Sequence, residues 1–228
     1  MKKAVVILSG GLDSATCMGI AKDEGYELYP ITFHYGQRHS REVESAIKMS
    51  EYYDTRSHKV INLDWLRQIG GSSLTDISLD VPTSGLTDEI PNTYVPARNL
   101  IFIALATAYA EVISASALFL GVNSLDYSGY PDCRPEFIQS MSKTINLATK
   151  NGVTGMNIKI ETPLINMTKA EIIKKGLELG VPYHLTTSCY QGKELACARC
   201  DSCRLRIKGF QENKIIDPID YEKSIVWN

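Results

Sequence analysis

The sequence predicts an α/β fold built on a doubly wound, five-stranded parallel sheet, with a small helical subdomain at the C-terminal end. Apolar, β-branched segments typical of strands alternate with helical segments over residues 1–185, and this alternation implies right-handed crossovers between parallel strands. Residues 186–228 break the pattern and concentrate four cysteines in a short stretch. We therefore divide the chain into an α/β domain, residues 1–185, and a C-terminal subdomain, residues 186–228, packed on it.

The composition is that of a soluble globular protein, with 44% hydrophobic and 22% charged residues among 228. A net charge of −2 gives no electrostatic footprint for a long phosphate backbone, so we expect no nucleic-acid partner. Lys2 and Lys3 run directly into a strand without the pattern of a secretory signal, so we expect a cytoplasmic protein with reduced thiols.

One segment, Leu100 to Leu120, is mostly apolar over the length that a bilayer requires. Glu111 and the Ser114–Ser116 break divide it into a buried helix followed by a strand from Ala117 to Leu120. We therefore expect no membrane partner.

A glycine-rich loop joins the first strand, Ala4 to Leu8, to a helix that we expect from Ala15 to Glu24. Paired glycines let the backbone approach a ligand with its N–H groups exposed, and the helix adds the positive end of its dipole. The pattern therefore predicts a phosphate site, although a helix cap with a tight turn is the simpler alternative. The candidate phosphate contacts are Leu8, Ser9, Gly10, Gly11, Leu12, Asp13 and Ser14.

Asp13 would repel phosphates unless a divalent cation lay between them. Magnesium prefers carboxylate and phosphate oxygens, so Asp13 predicts a Mg²⁺ site. The loop lacks the lysine of the Gly-x-x-x-x-Gly-Lys-[Ser/Thr] motif, and the Gly-x-Gly-x-x-Gly pattern is absent as well.

The remaining elements repeat the alternation of strand and helix. Residues 70–96 are rich in Gly, Ser, Thr, Asp and Pro and are too long for an ordinary connection, so we interpret them as a flap that orders on substrate binding. The expected strands are 27–35, 58–63, 117–120 and 157–161, and the expected helices are 42–53, a buried helix from 100, 135–149, a helix capped by Thr168 and Glu171, and a C-terminal helix from 201.

Polar side chains cluster where the expected strands end, which is the ligand edge of an open parallel sheet. The loop after the fourth strand carries unusually many groups suited to a polar heterocycle. Lys169 lies in a first helical turn, where the dipole opposes a cation, which indicates a nearby anion or else a solvated surface lysine. The candidates for a substrate are Arg38, Arg98, Asn123, Asp126, Tyr130, Asp132 and Arg134, and Lys169 is a candidate for balancing phosphate charge.

The cysteines near the C-terminus follow the pattern C-x7-C-x2-C-x2-C and are Cys189, Cys197, Cys200 and Cys203. Two x2 spacings place thiolates within reach of one ion, and four thiolates form a closed structural zinc site. An iron–sulfur centre is the competing interpretation. We interpret Cys17 as a buried apolar side chain and Cys133 as a neighbour of the polar loop.

The Ser-Gly-Gly-x-Asp-Ser pattern resembles the pyrophosphate loop of the N-type ATP pyrophosphatases, the PP-loop superfamily. In that superfamily the loop holds the ATP phosphates while the α-phosphate is attacked and pyrophosphate leaves. Together with other segments, the loop resembles the QueC family of queuosine biosynthesis along nearly the whole chain. The segments that carry this resemblance are 9–14, 33–39, 94–99, 121–134 and the four-cysteine terminus.

The QueC resemblance implies a Rossmann-like fold of the adenine nucleotide α-hydrolase type and a ligase that forms carbon–nitrogen bonds. It implies that the enzyme converts 7-carboxy-7-deazaguanine and ammonia to the 7-nitrile. Two ATP are consumed, and the intermediates are an adenylated acid and an adenylated amide. Asp13, Lys169 and Arg98 would then be catalytic, and the chain would form a homodimer and use free ammonium. The alternatives are a tRNA-modifying PP-loop sulfur transferase and a non-enzymatic ATP-binding regulator. The former should show a basic face or an RNA-binding domain, and the latter would not need the polar loop.

Overall fold

The computed structural model describes residues 1–38, 40–82, 90–125 and 129–227. Its centre is a parallel sheet with the strand order β3-β2-β1-β4-β5. The strands are β1 Lys3–Ile7, β2 Glu27–His34, β3 Lys59–Asn62, β4 Ala117–Leu120 and β5 Lys159–Glu161. The predicted α/β class with five parallel strands is confirmed.

The helices follow the strands in alternation, as expected for crossover connections. They are α1 Leu12–Asp23, α2 Arg41–Tyr52, α3 Leu66–Ile69, α4 Arg98–Val112, α5 Pro135–Ala148, α6 Lys150–Val153, α7 Lys169–Glu178 and α8 Asp201–Glu212. Short 3₁₀ turns occupy Pro131–Cys133 and Tyr183–Leu185.

The sheet is covered on both faces, and β1 shows how the sequence achieves this. Val5 and Ile7 belong to one apolar core together with residues of α4 and α5, whereas Ala4 and Val6 belong to a second core together with residues of α1 and α7. Successive side chains of a strand point to opposite faces, so a strand buried on both faces must be apolar throughout. All four of these residues have no exposed surface or almost none.

The strand order reverses at β1, which pairs with β2 on one side and with β4 on the other. A crevice opens at such a switch point, beyond the carboxyl ends of the strands. The loop after β1 and the loop after β4 meet there, because a Cβ on Gly121 would lie 3.0 Å from the carbonyl carbon of Asp13. The glycine therefore permits the close approach of the two loops.

Two helices begin earlier than the sequence predicted. Helix α1 begins at Leu12 instead of Ala15, because Gly11 has an extended conformation (φ −81°, ψ 163°) and acts as the N-cap. Helix α4 begins at Arg98 instead of Leu100. Both corrections place candidate site residues inside a first helical turn, where backbone N–H groups are unpaired within the helix.

The described parts of the 70–96 segment pack against the body of the protein. Leu74 and Val95 join the core on the α4 side of the sheet, and Val81 packs on the cysteine cluster. Residues 83–89 lie outside the described residues. That this segment is a flap ordered by substrate stays a prediction.

The C-terminal region is closely joined to the sheet domain. Phe210 of α8 is fully buried in the same core as Ile172 and Ile173 of α7. Arg206 and Asp217 form a buried ion pair, with Nε–Oδ2 2.6 Å, that ties α8 to the chain after it. The division at residues 185 and 186 stays a prediction. No helix within the described ranges has the length and apolar character needed to span a bilayer.

Candidate active site

A cavity of about 210 Å³ lies at the switch point between β1 and β4. It joins the glycine-rich loop, the end of β2, the first turns of α2, α4 and α7, and the segment before the cysteine cluster. The polar residues that line it are Ser9, Asp13, Ser14, Tyr35, Gln37, Glu42, Arg98, Asn99, Asn123, Tyr130, Cys133, Lys169, Thr187, Ser188, Tyr190, Ser202 and Arg206. This position is where ligands bind in open α/β sheets.

The loop after β1 is held by its own hydroxyl groups. Ser9 Oγ donates to Ser14 Oγ at 3.0 Å, and Ser14 Oγ donates to the carbonyl oxygen of Gly11 at 3.0 Å. Gly11 is the N-cap and no side chain caps the helix, so the alternative in which Asp13 or Ser14 serves only as a cap is not observed. The first turn of α1, whose residues Leu12 to Ser14 line the cavity, therefore has no side-chain cap, as an anion site requires.

Gly10 and Gly11 differ in the space available for a side chain, so alanine variants at the two positions form a matched pair. Gly10 has φ +82°, and a Cβ there would collide with the carbonyl oxygen of Glu42 and lie 2.8 Å from the nitrogen of Ala46, whereas a Cβ on Gly11 meets nothing closer than 3.4 Å. We expect Gly10→Ala to lower the free energy of unfolding by about 2–5 kcal/mol, through left-handed strain and overpacking. Gly11→Ala should cost less than about 1 kcal/mol. Urea unfolding midpoints test this, and equal midpoints would contradict it.

Asp13 and Lys169 form an ion pair across the cavity floor. Lys169 Nζ donates to both carboxylate oxygens of Asp13, at 2.6 and 2.8 Å, although the residues are 156 positions apart. The lysine side chain is 9% exposed and the aspartate 22%. Lys169 is therefore not a solvated surface lysine, and the anion beside it is Asp13.

The position of Lys169 follows from two local devices. Thr168 and Glu171 form the predicted capping box, which fixes the start of α7. Asn123, at the end of β4, donates from Nδ2 to the carbonyl oxygens of Leu164 and Met167 and so holds the segment before that helix. Asn123 lines the cavity and also positions the lysine.

Arg98 supplies positive charge at the opposite wall. Its guanidinium lies 5.8 Å from the ring centre of Tyr35. Burial works against the arginine charge, but the nearby groups of Tyr35, Tyr130 and Asp132 outweigh it and the pKa of Arg98 is raised. Asn99, the next residue, also lines the cavity.

Glu42, on the first turn of α2, is a cavity residue that the sequence analysis missed. Burial raises the pKa of its carboxyl group to about 7, while Arg98 acts in the opposite direction. The only sequence signal was its place one helical turn beyond the polar end of β2. A glutamate at the start of a predicted helix is commonly exposed to solvent, so its type and position alone do not indicate a cavity residue.

Several predicted substrate residues have other partners in this structure. Arg38 donates to the backbone carbonyls of Ser73, Asp76 and Leu79 and so anchors the 70–96 segment. Asp132 accepts from the backbone nitrogen of Asn99 at 2.9 Å. These two side chains do not line the cavity.

Arg134 is exposed and donates to the carbonyl oxygen of Pro131. Asp126 lies outside the described residues. Of the predicted substrate residues, the structure brings Arg98, Asn123 and Tyr130 to the cavity. The others stay predictions.

The four clustered cysteines meet in space. The Sγ atoms of Cys189, Cys197, Cys200 and Cys203 all lie within 4.8 Å of one another, and all four residues are buried. Cys197 and Cys203 are 4.0 Å apart at Sγ. Four sulfur atoms about 2.3 Å from a tetrahedral ion are separated by roughly 3.8 Å, so the arrangement is close to that of a zinc site.

The two other cysteines behave as expected. Cys17 is fully buried in the core beneath α1. Cys133 lines the cavity and accepts from Asn99 Nδ2, and burial raises the pKa of its thiol to about 12.

Comparison with known proteins places this site in a family. The model of the family described as "Queuosine biosynthesis protein QueC" matches residues 3–214. The chain belongs to this family. QueC relatives named 7-cyano-7-deazaguanine synthase are 58% identical in Oceanobacillus iheyensis, over 96% of this chain and 98% of the relative, and 56% identical in Acetivibrio thermocellus, over 97% and 98%. A relative from Coxiella burnetii with the same name is 51% identical over 97% and 98%.

Solved structures show that the QueC chain shares its fold with other nucleotide-using proteins. NMN synthetase from Francisella tularensis superposes with a TM-score of 0.51 and 14% identity, covering 94% of this chain and 78% of that one. A 4-thiouridine synthetase solved with RNA and ATP superposes with a TM-score of 0.53 and 19% identity, covering 92% of this chain and 53% of that one. At these identities the likeness concerns the fold alone.

Proposed function

We propose that this chain is a 7-cyano-7-deazaguanine synthase, which converts 7-carboxy-7-deazaguanine and ammonia to the 7-nitrile at the expense of ATP. The single observation that carries the proposal is the family match over residues 3–214. Relatives above 50% identity along nearly their whole length bear this name. The cavity supports it, since it joins a phosphate loop to a polar, aromatic wall.

The chemistry sets what the site must do. A carboxylate is a poor electrophile, so its oxygen first attacks the ATP α-phosphate and pyrophosphate leaves. Ammonia then displaces AMP from the acyl-adenylate and gives an amide. A second activation at the amide oxygen permits elimination to the nitrile. Such steps depend mostly on positioning and on stabilisation of charge.

The ATP phosphates lie against the loop from Leu8 to Ser14 in this proposal. The serine hydroxyls and the N–H groups of α1 donate to their oxygens, and Lys169 balances their charge. Asp13 lines the cavity and presents hard oxygen ligands, so it would hold magnesium, which would neutralise phosphate charge. The substrate carboxylate approaches between this loop and Arg98.

The polar wall receives the deazapurine. Arg98 and Tyr130 border the space opposite the loop, and Tyr190 closes it from the C-terminal region. Asn123 serves both as wall and as support for α7. Arg38, Asp126, Asp132 and Arg134 remain proposed substrate contacts.

The cysteine cluster takes a structural zinc ion in this proposal. Four buried thiols with mutual distances suited to a tetrahedral ion form a closed site, which leaves no position for substrate. Zinc bound to Cys189, Cys197, Cys200 and Cys203 would fix the 186–200 segment, which borders the cavity through Ser188 and Tyr190. An iron–sulfur centre is the alternative for the same ligands.

The protein acts in the cytoplasm as a homodimeric ligase in this proposal, and takes its nitrogen from free ammonium. Neither a sulfur transferase acting on tRNA nor a non-enzymatic regulator is favoured. The relatives of high identity are named as synthases of a small deazapurine, and the polar wall would have no purpose in a regulator.

The decisive experiment measures ATP turnover with defined substrates. We expect steady formation of AMP and pyrophosphate only when 7-carboxy-7-deazaguanine and ammonium are both present, with the nitrile identified by mass spectrometry. Turnover with tRNA in place of the deazapurine, or ATP binding without turnover under all conditions, would overturn the proposal.

A further inference from the structure

Glu42 has no role in the function proposed above, although it lines the cavity. Its backbone carbonyl lies directly against Gly10, in the space that a Cβ there would fill. The carboxyl group therefore belongs to a residue in contact with the phosphate loop. No hydrogen bond or ion pair within the described ranges uses that carboxyl group, and Arg98 is the charged group that favours its ionised form.

We propose that Glu42 is the proton acceptor for the steps in which nitrogen loses hydrogen. This inference rests on the proposed function. In amide formation, ammonia forms a C–N bond to the acyl carbon, the C–O bond to AMP breaks with its electron pair leaving on AMP, and one N–H proton passes to the Glu42 carboxylate. In nitrile formation, the amide oxygen displaces pyrophosphate from the second ATP, and one nitrogen proton passes to the Glu42 carboxylate, which releases it to solvent. The second nitrogen proton then passes to the same carboxylate as the C–O bond to AMP breaks, with its electron pair leaving on AMP, and C≡N forms.

The geometry favours this role. In the proposed function the α-phosphate of ATP lies against the loop, and the acyl carbon is bonded directly to the oxygen that attacks this phosphate. The acyl carbon must therefore lie close to the loop as well. A residue seated on Gly10 and directed into the same cavity is placed to reach a nitrogen on that carbon. Glu42 also differs from the other acid of the cavity, because Asp13 binds Lys169 with both of its oxygens. The Glu42 carboxylate is not committed in this way.

The remaining titratable groups of the cavity fit the role less well. Burial raises the pKa of Tyr35 to about 12 and that of Cys133 to about 12, and the pKa of Tyr130 is also raised. These groups are neutral near pH 7 and cannot accept a proton there. A base works best when its pKa lies near the working pH, as that of Glu42 does at about 7.

Charged and titratable groups reach the cavity around Glu42 from several elements, and they set the pH dependence of its role. They are Tyr35 after β2, Asp13 on α1, Arg98 on α4, Tyr130 and Cys133 before α5, Lys169 on α7, Tyr190 and Arg206. Arg98 stabilises the charged form of Glu42, whereas desolvation opposes it. Since only the carboxylate accepts a proton, the nitrogen steps should slow as the pH falls below its pKa.

The test uses the full chain with Glu42→Gln, which keeps the shape and removes the titrating group. With ATP and the carboxylic acid but no ammonium, rapid quenching should show a single pyrophosphate burst within about twofold of wild type. With ATP and the 7-amide as substrate, which removes the pH dependence of ammonia itself, nitrile formation should fall about 10²-fold or more at unchanged KM. The wild-type rate should rise with pH through an ionisation that Glu42→Gln lacks.

Matched variants separate the outcomes. Glu44→Gln lies on the exposed side of the same helix and should behave as wild type, while Glu42→Asp keeps an acceptor and should lose less than Glu42→Gln. If Glu42→Gln lost the pyrophosphate burst with the carboxylic acid as strongly as it lost nitrile formation, the proposal would be overturned in favour of a binding role. A rise in KM without a fall in rate would overturn it in the same way. Failure of the wild-type chain to turn over the acid with ammonium would instead contradict the proposed function.

Discussion

Replacing Asp13 by alanine should abolish pyrophosphate release, with a loss of at least about 10³-fold in turnover. The carboxylate belongs to the glycine-rich loop itself, and it also fixes Lys169 through two hydrogen bonds of 2.6 and 2.8 Å. Its removal takes away the expected magnesium ligand and releases the lysine from its position. Circular dichroism should show an intact fold, with the free energy of unfolding lowered by about 1–3 kcal/mol because a mostly buried ammonium loses its partner.

A double variant separates the catalytic role of Asp13 from a purely structural one. Asp13→Ala combined with Lys169→Met removes both charges and should recover much of the stability, since the ammonium group that Asp13 binds is removed with it. We expect it to remain inactive. If the double variant regained turnover, the aspartate would serve only to neutralise the lysine, and retained turnover in Asp13→Ala alone would remove it from the mechanism altogether.

Removing the metal from the cysteine cluster should release the C-terminal region before the sheet unfolds. Zinc binding to four thiolates is worth on the order of ten kcal/mol. The cluster is the centre of a small core that includes Val81, Ala196 and Tyr221. With a chelator under mild denaturing stress, limited proteolysis should first cut within residues 186–200 and after α8, while fragments containing the sheet persist.

The control for this experiment is a cysteine outside the cluster. Cys200→Ser should lose the metal, whereas Cys133→Ala should keep one zinc per chain by elemental analysis of anaerobically purified protein. If the protein contained stoichiometric iron and sulfide but no zinc, the prediction that the four cysteines bind zinc would be wrong. Simultaneous digestion of the sheet and the C-terminal region would contradict a separately stabilised subdomain. The packing of Phe210 between α7 and the sheet makes that outcome a serious test.

Much of the fold could be predicted from short-range sequence patterns. The apolar strand segments, the glycines between β1 and α1, and the Thr168–Glu171 capping box are all local signals, and each was found where the sequence placed it. The cysteine spacing is equally local, and the four thiols do converge. The alternation of strands and helices was enough to predict parallel pairing, because a helix between two strands carries the chain back to the end of the sheet where the first strand began.

The errors were made where local patterns are ambiguous. The start of α1 was placed three residues late, since Leu12 to Ser14 could be loop or helix until the extended conformation of Gly11 is known. Glu42 was not predicted as a site residue, because the rotation of the helix after β2 decides whether this side chain faces solvent or the cavity.

The sequence by itself determined which chemical groups the chain carries, namely a glycine-rich loop of the kind that binds phosphate, four clustered thiols, and charged side chains near the ends of strands. Only the tertiary structure decided which of those side chains share the cavity. It paired Asp13 with Lys169 across 156 residues and turned Arg38 to the carbonyls of the 70–96 segment. It also committed Asp132 to the start of α4 and brought Glu42 to the phosphate loop. The physical reason is that such contacts depend on sheet order and helix rotation, which arise from packing over the whole chain.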